Sequence, residues 1–400
     1  MSVSAGPLRL TEITTTAALA ALKPAWDRVL AASETSTPFQ THAWALSWWE
    51  TFAAHQELWV LLLEDDDGPA AIAPFARARR RAGPLRYRAL EFLGSGPLRF
   101  LGMGLSDRCD FLLARRRNEC LDEIIRHLTA ERRHWDVLDL RFVPEESTTA
   151  RRCEALAALA GFGHVRERCA ESPYLALEGS YEDYLKRRSS NFRKGLKRKL
   201  RRLEGWGEVA WDLSAESDVD QALDEVVTTS LASWKAEAGS ALFLHGNVRE
   251  FWRRLAPRLK AESGLYVALA TVGGRTVAHE LGFRMGGRLW SYDSAFKAEF
   301  AEGSPGILLT AKLIEQAYAD GLVEYDFMRG NEGYKLTWET ATRAEVQIVL
   351  DSGSTRAQAA RDIAYRAKWA LKRKPLLVEA QSRAAGVLNK IFQGRRKVRA

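Results

Sequence analysis

The feature that most constrains the fold is a weak internal repeat, because two stretches about two hundred residues apart show the same order of elements. Residues 58–73 and residues 265–278 each read as a strand, a tight polar turn and a second strand, which predicts a β-hairpin. An aromatic-rich helical segment precedes each hairpin. Each hairpin is later followed by an amphipathic helix and a further strand. These two strands are residues 135–140 and residues 322–327. This order favours duplication; the alternative is two mixed α/β domains that share generic hairpins.

The sequence therefore predicts an α/β (α+β) protein with tandem halves, each a mixed central sheet flanked by helices. We place the first half at residues 1–175 and the second at residues 176–352. Residues 353–400 are predicted to form a basic helical tail, interrupted at Pro375, whose ring removes an amide donor.

Composition excludes several classes of protein. With 46% hydrophobic and 28% charged residues among 400, the chain resembles an ordinary globular protein. It has no apolar run of about eighteen residues that would span a bilayer. The first ten residues lack the pattern of a secretory signal, so we expect a cytoplasmic protein. The four cysteines and seven histidines show no metal-binding spacing, so we expect no metal site.

The net charge of +8 is unevenly placed. From Arg356 onward the sequence contains thirteen Lys and Arg residues, and its only acidic residues are Asp362 and Glu379. This segment therefore has a net charge of 13 − 2 = +11. Apolar residues are interleaved with these cations, which favours peripheral contact with the anionic inner face of a membrane. A helix packed on the protein and a disordered end are the alternatives.

A second basic stretch, Lys186–Arg202, has ten cationic residues. As a helix it would place Phe192, Leu196 and Leu200 near one face and positive charge on the others. The functional interpretation is that it grips the phosphates of a nucleotide- or lipid-linked acceptor, or the 3′ end of a tRNA. A solvated basic face is the alternative.

The segment Leu289–Trp338 is the most specific part of the sequence. A strand is followed by the loop Ser304-Pro305-Gly306 and a helix that begins at or just before Ile307. A helix N-terminus presents free backbone amides and the positive end of the helix dipole, and so binds anions such as a pyrophosphate. Simple capping of the helix by Ser304 is the alternative.

The next strand ends in a loop rich in glycine, charge and aromatic residues, Tyr325–Trp338. Acyl transfer to an amine or hydroxyl needs a base for the acceptor's proton, or a carboxylate that holds the ammonium. Asp326 is the first candidate, with Glu280 and Asp293 on neighbouring strands as rivals; each has a structural pairing with arginine as its alternative. Tyr334 and Lys335 are candidates for stabilising the developing oxyanion or for binding phosphate, and a surface lysine beside a packed tyrosine is the alternative.

These motifs resemble the CelD-like acetyltransferase family of the GNAT superfamily, which is related to the Fem-type aminoacyl-tRNA-dependent peptidoglycan ligases. The resemblance covers most of residues 35–345. The residues that carry it are Pro38-Phe39-Gln40, Trp44, Trp48, Asn191-Phe192-Arg193-Lys194, Tyr292, Ser304-Pro305-Gly306-Ile307-Leu308-Leu309, Glu324-Tyr325-Asp326-Phe327, Gly330, Glu332, Tyr334-Lys335 and Trp338.

The resemblance implies tandem GNAT-like domains and acetyl-CoA or another acyl-CoA as the donor. The implied donor-binding residues are Ser304, Pro305, Gly306, Ile307 and Leu308. The candidate acceptor-binding residues are Asn191, Arg193 and Lys197 of the basic stretch, together with Glu332. The Ser-Pro-Gly loop departs from the Arg/Gln-rich phosphate loop of ordinary GNAT enzymes. The first half has no such loop before its helix, so we expect it to be degenerate and to shape the acceptor cleft.

The leading hypothesis is an acyl-CoA-dependent N- or O-acyltransferase that acts on a sugar or a cell-envelope polysaccharide precursor. One alternative is aminoacyl transfer from charged tRNA, as in Fem-type enzymes. The absence of a long heptad insertion after residue 200 argues mildly against it. The other alternative is a non-catalytic protein that keeps the fold and docks on a membrane or on nucleic acid.

Overall fold

The computed structural model describes residues 6–96, 98, 104–262, 264–330, 332–338 and 340–366. The strands up to residue 176 are β1 (Arg9–Ile13), β2 (Gln56–Asp65), β3 (Gly68–Ala82), β4 (Leu85–Phe92), β5 (Leu112–Leu113), β6 (Val137–Pro144) and β7 (Gly163–Ala176). The helices of this part are α1 (Thr16–Ala21), α2 (Lys23–Ala32), α3 (His42–Phe52), α4 (Arg117–Ala130) and α5 (Thr148–Leu159).

After residue 176 the strands are β8 (Val209–Asp212), β9 (Leu265–Val272), β10 (Arg275–Met285), β11 (Arg288–Phe296), β12 (Glu324–Asp326) and β13 (Ala341–Asp351). The helices are α6 (Tyr181–Arg187), α7 (Ser190–Glu204), α8 (Val219–Leu231), α9 (Trp234–Glu237), α10 (Gly246–Ala261), α11 (Pro305–Ala319), α12 (Gly333–Leu336) and α13 (Thr355–Arg361).

All the strands belong to one mixed sheet, in the order β1-β2-β3-β4-β6-β13-β7-β12-β11-β10-β9-β8, with β5 paired to β3. The central strands are apolar on both faces because helices cover both faces. In β2, for example, every residue from Leu58 to Leu63 is buried. The helices contribute one apolar stripe each; in α4 the buried side chains recur at helical spacing, from Cys120 to Leu128.

The internal repeat is confirmed. The hairpins β2–β3 and β9–β10 are both antiparallel. Two parallel pairs follow: β4 with β6, whose connection contains α4, and β11 with β12, whose connection contains α11. The aromatic helices α3 and α10 pack together, with the rings of Trp44 and Phe251 4.9 Å apart. The expected α/β unit therefore occurs twice, and the two copies form one continuous mixed sheet flanked by helices.

The two halves exchange strands. Near the end of the described chain, β13 lies between β6 and β7 and is antiparallel to both. The last residues of β7, Tyr174–Ala176, pair with β12. A division of the chain at residues 175 and 176 thus separates segments whose strands hydrogen-bond to each other.

Of the predicted basic tail, the structure describes α13 and a π-helical turn, Asp362–Arg366. Residues 367–400 lie outside the described part of the chain. Within the described part, no helix combines the length and the apolar character needed to cross a bilayer.

Candidate active site

The parallel strands β11 and β12 separate at the carboxyl end of β12. β11 and β12 pair only between Arg288–Trp290 and Glu324–Asp326. Beyond this point β11 continues along β10 to Phe296, whereas the chain after Asp326 follows β7, with the Phe327 amide bonded to the Pro173 carbonyl. The two strands part here, and ligands of α/β sheets bind where neighbouring strands diverge at their carboxyl ends.

Helix α11 begins beside this opening. Ser304 precedes it in the left-handed region (φ 52°), and its side chain does not cap the helix. The amides of Ile307 and Leu308 donate to the Ser304 carbonyl at 3.1 and 3.3 Å. Within the described residues the Gly306 amide has no hydrogen-bond partner, and Pro305 has no amide proton. One amide and the dipole of a fifteen-residue helix are therefore available to an anion.

A lysine from α7 stands at the same place. The Lys199 ammonium donates to the Ser304 hydroxyl at 3.1 Å. It has no carboxylate partner in the described chain, and partial burial together with the charges of Arg198 and Arg202 lowers the pKa of Lys199. A cation without a counterion, beside a helix N-terminus, is the charge arrangement that a phosphate group complements. Lys199 lies within the basic stretch that the sequence indicates, but nothing in the sequence distinguishes it from its neighbours.

Helix α7 is fixed across the start of α11. Arg202 donates to the Glu302 carbonyl, and Gly303 lies so close to Trp206 that a Cβ there would be 2.7 Å from the ring. The Arg193 guanidinium donates to three carbonyls at the end of α6, so this candidate acceptor-binding residue holds α6 and α7 together. Asn191 and Lys197 are exposed; Lys197 lines a groove of about 550 Å³ between α7 and α11.

Asp326 is enclosed by arginines. It is fully buried, Arg108 lies 2.5 Å and Arg343 3.4 Å from its Oδ2, and its Oδ1 accepts the Met328 amide. The corresponding residue of the first half is Asp139, which ends the other parallel pair. Asp139 is also fully buried, and accepts from Arg141 at 2.7 Å and from Gln347 at 2.6 Å. Because both aspartates are buried and paired with arginine, a structural ion pair is favoured over a role as catalytic base.

Glu280 is also enclosed. It is buried and accepts hydrogen bonds from the hydroxyls of Tyr266 at 2.8 Å, Thr310 at 3.1 Å and Tyr325. Burial raises the pKa of Glu280 above its ordinary value. With its oxygens satisfied by three hydroxyls, this carboxyl ties β10 to α11 and β12, and a substrate has no direct access to it.

Asp293 differs from both, because its side chain is 10% exposed. It pairs with His279 at 3.0 Å and lies 3.9 Å from the Lys235 ammonium. Burial acts to raise the pKa of Asp293, but Lys235 and His279 outweigh it and hold the pKa below its ordinary value. Asp293 is therefore an ionised carboxylate at neutral pH.

The loop after β12 carries Glu332, Tyr334 and Lys335. The Lys335 ammonium is buried, donates to the carbonyls of Met328 and Arg329, and pairs with Glu332 at 2.9 Å. It therefore closes the loop on itself. Burial acts to raise the pKa of Glu332, but the hydrogen bond and charge of Lys335 hold it below its ordinary value.

Tyr334 is 39% exposed and lies beside Ser294 of β11. Burial and the carboxylates of Glu280 and Glu332 raise the pKa of Tyr334 well above that of an ordinary phenol. The Lys235 ammonium donates to the Ser294 carbonyl at 2.7 Å. The structure thus brings Tyr334 and Asp293 to neighbouring positions around Ser294, beyond the point where β11 leaves β12.

The first half contributes a segment that the sequence analysis missed, Gly104–Asp110. Arg108 reaches Asp326, and Asp107 pairs with Arg329 at 3.0 Å. The Leu105 carbonyl accepts the Tyr292 hydroxyl at 2.9 Å. No local sequence pattern predicts contacts between residues that lie about two hundred positions apart.

Comparison with known proteins agrees with this geometry. Residues 190–336, from α7 to α12, match the family model of an acetyltransferase (GNAT) domain. No curated protein matches the sequence significantly.

Similar solved structures cover most of the chain. FemX has a TM-score of 0.57 and 10% identity, over 85% of this chain and 96% of its own. The C-terminal domain of a putative lysylphosphatidylglycerol synthetase from Agrobacterium fabrum has a TM-score of 0.52 and 11% identity, over 86% and 95%. A conserved protein of unknown function from Bacteroides thetaiotaomicron has a TM-score of 0.51 and 13% identity, over 86% and 100%. These likenesses show the fold, and the match of residues 190–336 to an acetyltransferase (GNAT) domain shows that the chain is an acyltransferase.

Proposed function

We propose that this protein transfers an acyl group, such as acetyl, from coenzyme A to an amine or hydroxyl of a sugar or a cell-envelope polysaccharide precursor, as a CelD-like acetyltransferase of the cytoplasm. The observation that carries the proposal is the start of α11. There the Gly306 amide has no hydrogen-bond partner among the described residues, and the Lys199 ammonium donates to the hydroxyl of Ser304, two residues earlier, beside the opening between β11 and β12.

The donor's diphosphate is assigned to this helix start. Lys199 supplies a charge-assisted hydrogen bond, Gly306 supplies an amide, and the helix dipole adds attraction. Pro305 shapes the turn, while Ile307 and Leu308, whose amides are already bonded, continue the helix. The thioester would then extend into the opening between β11 and β12.

The reaction needs one group that takes a proton and one that gives a proton. The acceptor's nitrogen or oxygen attacks the thioester carbon, the new C–N or C–O bond forms, and the C–S bond breaks. Asp293, ionised at neutral pH, receives the acceptor's proton. Tyr334, protonated because its pKa is raised, donates a proton to the leaving thiolate. Lys335 positions Tyr334 by closing the loop.

The acceptor is proposed to carry phosphate. Of the seven Lys and Arg residues of α7, none has a carboxylate partner in the described chain, and Lys197 borders the groove along α11. With Asn191 and Glu332 these cations would hold a nucleotide- or lipid-linked precursor. The same uncompensated positive charge on α7 also suits a second candidate function, aminoacyl transfer from a charged tRNA. The similarity of the fold to FemX is the reason for testing it.

Acetyl-CoA binding, measured by thermal shift, tests the proposal. A ligand that binds only the native state raises its stability by about 2.7 kcal/mol at a hundred times its Kd. Gly306→Asp places a carboxylate at the anion site and should abolish the shift. A Cβ at Gly306 would lie 3.4 Å from Phe296, so the fold should tolerate the change.

The matched control is Gly246→Asp, which adds the same side chain at the start of α10 in nearly open space. It should keep the full shift. No shift in the unaltered protein at millimolar acetyl-CoA would exclude the donor, and binding by charged tRNA would then favour the second candidate. A full shift in Gly306→Asp would place the donor elsewhere.

A further inference from the structure

The hairpin β3–β4 of the first half concentrates arginines on one face. Across the two strands Arg79 lies directly opposite Arg88, and Arg81 directly opposite Arg86. Directly opposed residues share a face, with Cβ atoms about 5 Å apart, and like charges in such pairs destabilise a sheet. Two successive arginine pairs therefore carry a cost that nothing in the hairpin's own packing explains.

Internal carboxylates compensate only part of this charge. Arg80 pairs with Glu91, and Arg88 shares the buried Asp136 with Arg356 of α13. Arg79, Arg81 and Arg86 are exposed and have no carboxylate partner in the part of the chain that the structure describes. A cavity of about 640 Å³ lies here, lined by six arginines and Tyr87. We name Arg79, Arg81, Arg86, Arg88 and Arg356 the arginine surface.

The described part of the chain ends close to this hairpin. The hydroxyl of Tyr365, next to the last described residue, lies 3.5 Å from the hydroxyl of Tyr87 in the hairpin. The sequence that follows, residues 367–400, has ten Lys and Arg residues against Glu379, with apolar residues between them. The described chain therefore ends beside the hairpin that carries the arginine surface, and the most basic part of the sequence comes directly after it in the sequence.

We propose that the arginine surface docks the protein on an anionic phospholipid bilayer. Guanidinium groups bind phosphate oxygens in a bidentate manner, so they suit a surface of lipid phosphates better than ammonium groups do. A basic segment with interleaved apolar residues is attracted to the same surface. A single-stranded nucleic acid would need aromatic rings on which bases stack. The one aromatic residue of the cavity, Tyr87, is buried.

Vesicle sedimentation with the full chain tests the proposal. Vesicles of phosphatidylcholine with phosphatidylglycerol should bind the protein at low salt, and vesicles of phosphatidylcholine alone should not. The triple variant Arg79→Gln, Arg81→Gln, Arg86→Gln should lose about fivefold in binding for each arginine, or roughly a hundredfold in total. Its thermal stability should not fall, because the variant removes repulsion between exposed charges.

The matched control, Arg28→Gln, Arg253→Gln, Lys260→Gln, removes the same charge from exposed positions on α2 and α10 and should bind vesicles as the unaltered protein does. Equal binding of the triple variant and the control would overturn the proposal. Failure of the unaltered protein to bind phosphatidylglycerol vesicles would do the same. So would the reverse selectivity, in which the triple variant loses binding to RNA but keeps its binding to the vesicles.

Discussion

At the scale of single residues, a group of buried charges decides which carboxylates remain available for chemistry. Arg108 joins Asp326 to Glu345 at 3.1 Å, and Ser172 donates to the same Glu345 at 2.7 Å. These groups come from distant parts of the chain. Because a buried charge must be paired, Asp326 is held by these ion pairs and is withdrawn from contact with substrate.

The enclosure of Asp326 predicts an effect on stability. Asp326→Asn removes one buried carboxylate, while Arg108 keeps Glu345 and Arg343 keeps Glu324, so the free energy of unfolding should fall by about 1–3 kcal/mol. The control is Asp27→Asn, which breaks the exposed pair with Lys23 and should cost less than about 1 kcal/mol. Urea denaturation measures both. A loss as small for Asp326→Asn as for Asp27→Asn would show that the ion pairs do not stabilise the fold.

The raised pKa of Tyr334 predicts a kinetic effect. Tyr334→Phe removes the proposed proton donor and should lower kcat by about a hundredfold, with little change in KM for acyl-CoA. Since the pKa of Tyr334 lies above the ordinary value of 10, the activity of the unaltered enzyme should not decline between about pH 7 and 9 through loss of this proton.

Tyr318→Phe serves as the control, because Tyr318 lies on α11, on the side where it meets the rings of Tyr181 and Tyr184. Its kcat should match that of the unaltered enzyme. An unchanged kcat in Tyr334→Phe would remove this tyrosine from the mechanism.

At the scale of elements, the contact between α7 and α11 makes the donor site. The amphipathic pattern of α7 predicts correctly that Leu196 and Leu200 turn inward; both line the groove beside α11. The pattern does not predict which cation reaches the start of α11. Lys199 does so because α7 runs across the turn that precedes α11, where Arg202 and Leu203 are already fixed.

The start of α11 shows a similar limit. The Ser-Pro-Gly loop correctly marks the beginning of the helix. Capping by the Ser304 side chain does not occur, because Ser304 has a left-handed backbone and its hydroxyl accepts from Lys199 instead. Helix propensity predicts where α11 begins. Whether the free Gly306 amide binds a ligand depends on the residues that pack beside it.

At the scale of the whole molecule, the halves share one sheet through β13. This strand pairs with β6 from Val137 to Pro144, and with β7 from Gly163 to Tyr174. Its buried residues Val346, Ile348 and Leu350 contribute to the core that also contains Leu138 and Leu140 of β6. The first half therefore depends on a strand at the end of the second half.

This arrangement predicts the effect of truncation. A chain that ends at residue 340 leaves edges of β6 and β7 unpaired in the middle of the sheet, and exposed strand edges promote aggregation. We expect the truncated chain to be insoluble or to lack a cooperative unfolding transition by circular dichroism. A chain that ends at residue 366 retains every described element and should unfold as the full chain does. Native-like unfolding of the 1–340 chain would show that β13 is dispensable.

The sequence by itself determined the repeated order of hairpin, helix and strand, the duplication of one α/β unit that this order indicates, and the helix that begins after Ser304. These depend on neighbours a few positions apart, through the alternation of strands, the 3.6-residue period of helices and the conformational limits of Pro and Gly. The tertiary structure alone decided that Asp326 is paired, that Lys199 lies beside Ser304, and that β13 enters the first half. Such pairings join residues that are up to about two hundred positions apart. They depend on which buried charges and strand edges find partners when the whole chain packs.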